Sequence, residues 1–244
     1  MISYAMLSKE GNRQYNEDTI YAKVKNEEAC FILADGLGGQ GNGDVASTYV
    51  KEIVSAFYEN ENVEDSKEFV NSVVEKCQKG ILRKKREETA LKEMMSTLIL
   101  LLVHEKTISW GHVGDSRLYY FQKGKMKERT IDHSVPQVLA SAGQIKDSEI
   151  RFHPDRNRLL RAIGMEEGRP PLNSYKEVDR DKKKHIFLLC SDGFWEYIEE
   201  KEMERALKHA KNPEQWLKKM EKIVIRKGKK SNMDNYSAIC IFVE

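Results

Sequence analysis

Proline and glycine are scarce in this chain of 244 residues, 5 and 15 respectively, and no Pro/Gly/Ser-rich stretch divides it. A linker between two halves is therefore not expected, and one domain over 1–244 is. The four cysteines form no CxxC or CxxH pair, which excludes a zinc ribbon and a dithiol redox motif. Cys30, Cys190 and Cys240 stand inside apolar runs (CFILA, IFLLCS, AICIFV), where a reduced thiol behaves as a small hydrophobe. No apolar run nears the ~18–20 residues that span a bilayer; the longest is Leu98 to Val103. The opening MISYAMLSKEGNRQ has no basic segment leading into an apolar stretch, so no signal peptide is expected and the cytoplasm is the expected compartment. Charge of one sign is lacking too: 41 Lys+Arg against 39 Asp+Glu leave +2, which argues against coating nucleic acid or an anionic membrane. Internal repeats are absent.

What is present is alternating periodicity. Cys30–Ala34 is a short apolar run ending in Asp-Gly, the pattern of a buried strand. Val45, Ala46, Tyr49, Val50, Ile53, Val54 and Phe57 recur at helical steps, and Phe69 to Leu82 repeat them in a second helix with Ser66 as its expected cap. From Ser96 to Thr130 four strands (STLILLLV, TISWGHV, RLYYFQ, KMKERTI) joined by HEK, GDS and KGK predict an antiparallel meander. A polar mixed segment follows to Gly164. HIFLLC is another buried strand, helices are expected at about 199–208 and 213–227, and Tyr236–Val243 is a last strand. Strands spread along the chain with helix pairs in two blocks favour two packed sheets flanked by helices.

The acidic residues fall where strands end. Asp35 closes CFILAD, Asp115 sits in the GDS turn, Asp192 follows IFLLCS, and Asp234 precedes the last strand. Any one of them taken singly reads better as a turn residue bonding its own backbone. An unpaired carboxylate against an apolar strand costs several kcal/mol, however, so four of the same design make sense if they converge on divalent cations, which prefer oxygen ligands. The glycines Gly36, Gly38 and Gly41 form GxGxxG after a strand and before a helix, but the first helix leads into a second rather than back to a strand, against a dinucleotide fold. Arg13, beside Glu17 and Asp18, offers the planar fork suited to phosphate; a surface salt bridge is the plainer alternative.

Together RxxNED at Arg13–Asp18, DGxGG at Asp35–Gly39, GDSR at Gly114–Arg117, SDG at Ser191–Gly193 and DN at Asp234–Asn235 resemble the ordered motifs of the PP2C (PPM) family, the metal-dependent protein serine/threonine phosphatases. Weaker matches at Ser96-Thr97-Leu98, Asp132-His133-Ser134 and Leu160–Gly164 lie between them, and the length is similar to that of the bacterial branch. The resemblance implies an α+β fold, a β-sandwich of two mainly antiparallel sheets flanked by helices on both sides, with a flap at about 134–171. It implies Mn²⁺ or Mg²⁺, two ions and a third in bacterial members. Asp35 would bridge the metals, Gly36 would offer its carbonyl, and Asp192 and Asp234 would be ligands, these three acids forming the catalytic centre. Asp115 would serve the third metal with Asp192, Glu17 and Asp18 would act through water, and Arg13 would hold the phosphate. The implied reaction is in-line attack of a metal-activated water on phosphoserine or phosphothreonine of proteins. The implied partners are phosphoproteins and a cognate kinase, with no nucleic acid and no membrane, and nothing in the sequence requires more than a monomer.

One departure from the family stands out: animal members carry a His after Asp-Gly as proton donor, and here that residue is Leu37. His112, His133 and His153 are more often structural than catalytic in such positions. Glu196 is a further candidate ligand. Arg151, Arg156, Arg158, Arg161 and Arg169 make the flap basic, either as substrate attraction or as ordinary surface charge. Lys182–Lys184 and Arg226–Lys230 read as solvated turns, lacking the aromatics that stack bases. A catalytically inactive binding module on the same fold, a metal-dependent phosphodiesterase, and the dinucleotide enzyme remain the alternatives.

Overall fold

A computed structural model describes residues 1–38, 42–60, 63, 65–166, 174–181 and 183–244. The expected Gly39 and Gly41 of the glycine loop, Arg169 with the end of the flap, and Lys182 lie outside the described residues.

Two antiparallel sheets stack face to face. One carries β1 (Ile2–Lys9), β7 (Arg117–Gln122), β8 (Lys125–Arg129), β10 (His185–Cys190) and β11 (Tyr236–Val243) in the order β1-β11-β10-β7-β8. The other runs β2 (Asp18–Lys25), β3 (Glu28–Leu37), β5 (Leu98–Val103), β6 (Thr107–Val113) and β9 (Lys176–Asp179), with the short β4 (Met95–Ser96) paired to the end of β3. Helices α1 (Asn42–Asn60) and α2 (Ser66–Glu87) cover the second sheet. The first is covered by α4 (Asp192–Trp195), α5 (Glu200–Lys208) and α6 (Pro213–Gly228), while α3 (Val135–Ser141) lies in the segment after β8. The expected α+β sandwich is the one observed.

The apolar runs are continuous because each central strand is buried on both faces. Along β3, Cys30, Ile32 and Ala34 pack under α1 and α2, whereas Ala29, Phe31 and Leu33 enter the layer between the sheets. In β11, Ala238, Cys240 and Phe242 face α6 while Ile239, Ile241 and Val243 fill the middle. Strands β1 and β2 escape a reading by apolar runs because they alternate with exposed polar residues, and β1 is an edge strand showing Tyr4 and Met6 to solvent. Among the described residues no helix is long and apolar enough to cross a membrane.

Two local expectations are corrected. Asp65, not Ser66, caps α2: its side chain accepts from the Lys67 and Glu68 amides at 2.8 and 3.0 Å, while Ser66 is already the first helical residue. Nor do the four strands from 98 to 129 form one meander. β5 pairs with β6 and β7 with β8, but β6 and β7 belong to different sheets. The GDS turn is thus a crossing between sheets. Gly114 makes it with φ +104°, and a Cβ there would come within 2.6 Å of the Thr97 methyl. That crossing brings Asp115 to the mouth between the sheets.

Candidate active site

The ends of β3, β6, β10 and the start of β11 meet at one edge of the sandwich, around a cavity of about 500 Å³. Arg13, Glu17, Asp35, Gly36, Asp115, Asp192 and Asp234 all line it, so every expected site residue except Asp18 reaches the cavity wall. Asp18 stands just behind, opposite Asp35 in the β2–β3 register.

Each side chain has a local reason for its place. The Asp35 amide donates to Thr97 Oγ1 at 2.9 Å, and Thr97 Oγ1 shares a 2.8 Å bond with Ser116 Oγ, so the end of β3 and the Asp115 turn are tied through hydroxyls. Gly36 lies against α1 so closely that a Cβ would meet the Gly43 carbonyl at 1.8 Å. Glu17 closes this contact by accepting from the Gly43 amide at 3.1 Å. Asp192 sits in the first turn of α4, where the helix N-terminus favours negative charge. The indole of Trp195 donates to the Asp115 carbonyl at 3.0 Å, and the Arg117 guanidinium lies 3.5 Å over that indole while clasping Asp132 at 2.9 and 2.7 Å.

Concentrating these acids has an electrostatic cost. Burial raises the Asp35 and Asp192 carboxyls well above the usual carboxylate range, and neighbouring acids add to it: Asp18 beside Asp35, Asp115 beside Asp192. Burial pushes Asp115 up to about 7 and Asp18 to about 6. Asp18 accepts from Ser191 Oγ at 2.7 Å through Oδ2, but its buried Oδ1 has no hydrogen-bond partner. Among the described residues no three His, Cys, Asp or Glu side chains are gathered closely enough to enclose an ion alone. An all-oxygen donor set with an orphaned carboxylate oxygen and an open side suits a hard cation that keeps several waters, as Mg²⁺ and Mn²⁺ do.

The expected roles divide unevenly. Arg13 stands at the rim with its fork on Asp234, at 2.9 and 2.7 Å, where the two compensate each other. Glu196, the further candidate ligand, is held by Arg156 at 2.7 Å. Arg151 is not free for substrate, being buried against the Trp195 and Ile198 carbonyls and Glu200. Arg158 and Arg161 are exposed. His112 and His133 stack at 4.7 Å, and His133 Nδ1 accepts from the Gly114 amide at 3.2 Å, a structural placement behind the Asp115 turn. His153 Nδ1 accepts from the Asp155 amide.

Asn235 and Asn157 are among the lining residues not foreseen as site residues. Asn235 donates to the Glu10 and Tyr15 carbonyls at 2.9 and 2.8 Å and accepts from the Glu17 amide, fastening the Arg13 loop to the start of β11. Its place in the Asp-Asn pair was the available signal. Asn157 lines the cavity from the segment between α3 and β9, in a polar stretch with no distinguishing pattern.

The family model described as protein phosphatase 2C matches residues 7–236. The chain belongs to the protein phosphatase 2C family. Its members are protein phosphatases, and the chain is therefore an enzyme of the hydrolase class. The serine/threonine phosphatase stp of Listeria innocua is 31% identical over 202 residues, spanning 80% of this chain and 79% of that protein. The solved serine/threonine phosphatase PstP/Ppp of Mycobacterium tuberculosis superposes with a TM-score of 0.87 at 26% identity, covering 100% of this chain and 99% of that one. A structure of the PstP catalytic domain in complex with two manganese ions matches at 0.85 and 25% identity, over 100% and 99% of the two chains.

Proposed function

We propose that this protein phosphatase 2C domain hydrolyses phosphoserine and phosphothreonine esters on proteins with the help of Mn²⁺ or Mg²⁺, two ions and a third beside Asp115. The observation that carries this reading is the convergence of five carboxylates on one cavity, Glu17, Asp35, Asp115, Asp192 and Asp234, with Asp18 opposite Asp35 just behind, bordered among the described residues by one guanidinium, Arg13. Asp35, Asp192 and Asp234 would hold the cations through side chains and Gly36 through its carbonyl, with Glu17 and Asp18 acting through water. Bound cations supply a water of lowered pKa and neutralise charge on the phosphoryl oxygens.

The chain's own groups do the rest. Arg13 presents two parallel N–H donors at the rim, a geometry equally suited to a carboxylate and to two phosphate oxygens, and so orients the ester over the acids. Glu17 in the cavity wall and Asp18 just behind it keep the site anionic enough to hold more than one cation. Leu37 cannot give a proton to the departing serine or threonine oxygen, and among the described residues no imidazole lines the cavity, so that proton comes from water. The substrates on this reading are phosphoproteins made by a partner Ser/Thr kinase, and the enzyme works as a monomer in the cytoplasm.

The experiment is phosphate release from a phosphothreonine peptide with Mn²⁺, with Mg²⁺ and with excess EDTA, alongside Asp35→Asn. Release that needs metal and falls about a thousandfold or more in the variant is expected, since the cation's contribution is several kcal/mol. Full activity in Asp35→Asn would refute the bridging role, and no release with any metal from folded protein would point to a binding module.

A further inference from the structure

On the far side of the first sheet a second cavity, of about 600 Å³, opens between the β7–β8 hairpin and α5. Lys123 and Lys125 border it from the hairpin, and Lys201, Arg205 and Lys208 from the helix. The single carboxylate in its wall, Glu204, is taken by Lys125 at 2.7 Å and by the Met126 amide. Lys123, Lys201, Arg205 and Lys208 are exposed, and among the described residues none stands within ion-pair distance of a carboxylate; Lys201 and Arg205 act on Glu204 and Glu202 only at longer range.

The hairpin itself adds an independent observation. Gln122 and Lys125 are paired, so Lys123 and Gly124 form a two-residue loop, with φ of 54° and 72°. Such loops favour Asn-Gly or Asp-Gly, because side chains other than those of Asn and Asp are disfavoured in the left-handed region. A lysine in the left-handed region costs local stability, and this one stands at the rim of the cleft.

We infer that the cleft between the β7–β8 hairpin and α5 docks an Asp/Glu-rich segment of the phosphoprotein substrate, away from the phosphorylated residue. The cations are spread rather than convergent. Lys201 and Arg205 are one helical turn apart, ~6 Å along the axis, and same-face side chains of an extended peptide repeat at ~6.6 Å. That match fits a run of carboxylates better than one tetrahedral phosphate, which needs donors gathered on a single point. The cleft is concave and its wall carries no exposed large apolar side chain, unlike a surface that enters a lipid headgroup layer. β7 leads from the Asp115 turn to the hairpin, so the two sites stand roughly 20–25 Å apart, and a spacer of about eight extended residues joins them.

This inference rests on the reading of the substrate as a phosphoprotein, and the test separates the two. Fluorescein-labelled decaglutamate should bind the full chain, more weakly as salt rises. Its affinity should fall about tenfold or more in Lys201→Glu/Arg205→Glu/Lys208→Glu, each exposed pair contributing a two- to fivefold effect. Lys123→Asn should weaken binding two- to fivefold while leaving the unfolding midpoint unchanged or higher, the reverse of what a structural lysine would do. A phosphothreonine peptide extended through a Gly/Ser spacer to six glutamates should have a lower KM than the untailed peptide in the parent protein, and an equal one in the triple variant. Both proteins should hydrolyse the untailed peptide at the same rate; hydrolysis by neither removes the substrate reading, while decaglutamate still judges the cleft. Decaglutamate binding that survives charge reversal, a tail without effect on KM, or binding to phosphatidylserine vesicles instead of the peptide overturns the docking site.

Discussion

Asp132→Ala should be among the most damaging substitutions outside the cavity, and its size follows from burial. The side chains of Arg117 and Asp132 are 2% and 1% exposed, and their two bonds of 2.9 and 2.7 Å are the guanidinium's only carboxylate hydrogen bonds among the described residues. Removing the acid leaves the charge buried with the Tyr119 hydroxyl at 3.2 Å and the face of Trp195. Stranding a buried charge in this way costs about 3–5 kcal/mol. For a chain of this size that is a fall of roughly 10 °C or more in unfolding temperature. Calorimetry and urea titration of parent, Asp132→Ala, Arg117→Met and Arg117→Met/Asp132→Leu would read it. The double variant should lose less than either single one, because neither charge of the pair remains and Arg129, which also lies 3.6 Å from Asp132, keeps Asp147. Single variants that lose under about 1 kcal/mol, or a double variant that loses the full sum, would refute the account. In variants that fold, the Trp195–Asp115 bond is the contact expected to loosen, which links this pair to the active site.

Two further outcomes are expected. Burial, then the neighbouring His112 and Arg161, hold the His133 imidazole down at about 3, below the ~6.5 of a free imidazole. Its neutral form therefore contributes stability fully above pH 6.5, and that contribution is lost as pH falls toward 3, at most about 2–3 kcal/mol between pH 6.5 and 4.5. His133→Asn, which keeps an acceptor for the Gly114 amide, should show a shallower loss of urea midpoint over that window; equal slopes would count against the assignment. Arg13→Ala should raise KM for a phosphopeptide about ten- to a hundredfold, the worth of a charge-assisted fork. A change confined to the metal concentration needed for activity would instead make Arg13 a regulator of Asp234 alone.

The acids of the cavity were legible in the sequence because each sits where an apolar strand stops, a place at which an uncompensated charge is costly enough to need a reason. Asp35, Asp192 and Asp234 could be singled out by that rule, and the central strands β3, β10 and β11 by runs buried on both faces. β1 and β2 were not, since strands that alternate polar and apolar residues at an edge differ little from coil by composition. Asp65 was passed over for Ser66 because both are good caps and only backbone geometry separates them.

What the sequence determined by itself was local: which segments are buried, where they end, and which residue types wait there. Tertiary structure decided what depends on residues far apart in the chain. The GDS turn changes sheets rather than closing a hairpin, and β6 and β7 take their neighbours elsewhere in the chain: β5 and β9 for one, β8 and β10 for the other. That choice carries Asp115 to Asp192, and it hides Arg117 and Arg151 while leaving Lys201, Arg205 and Lys208 in the open. Charge is written in the sequence; whether a charge is buried and paired or free to meet a partner is set by packing.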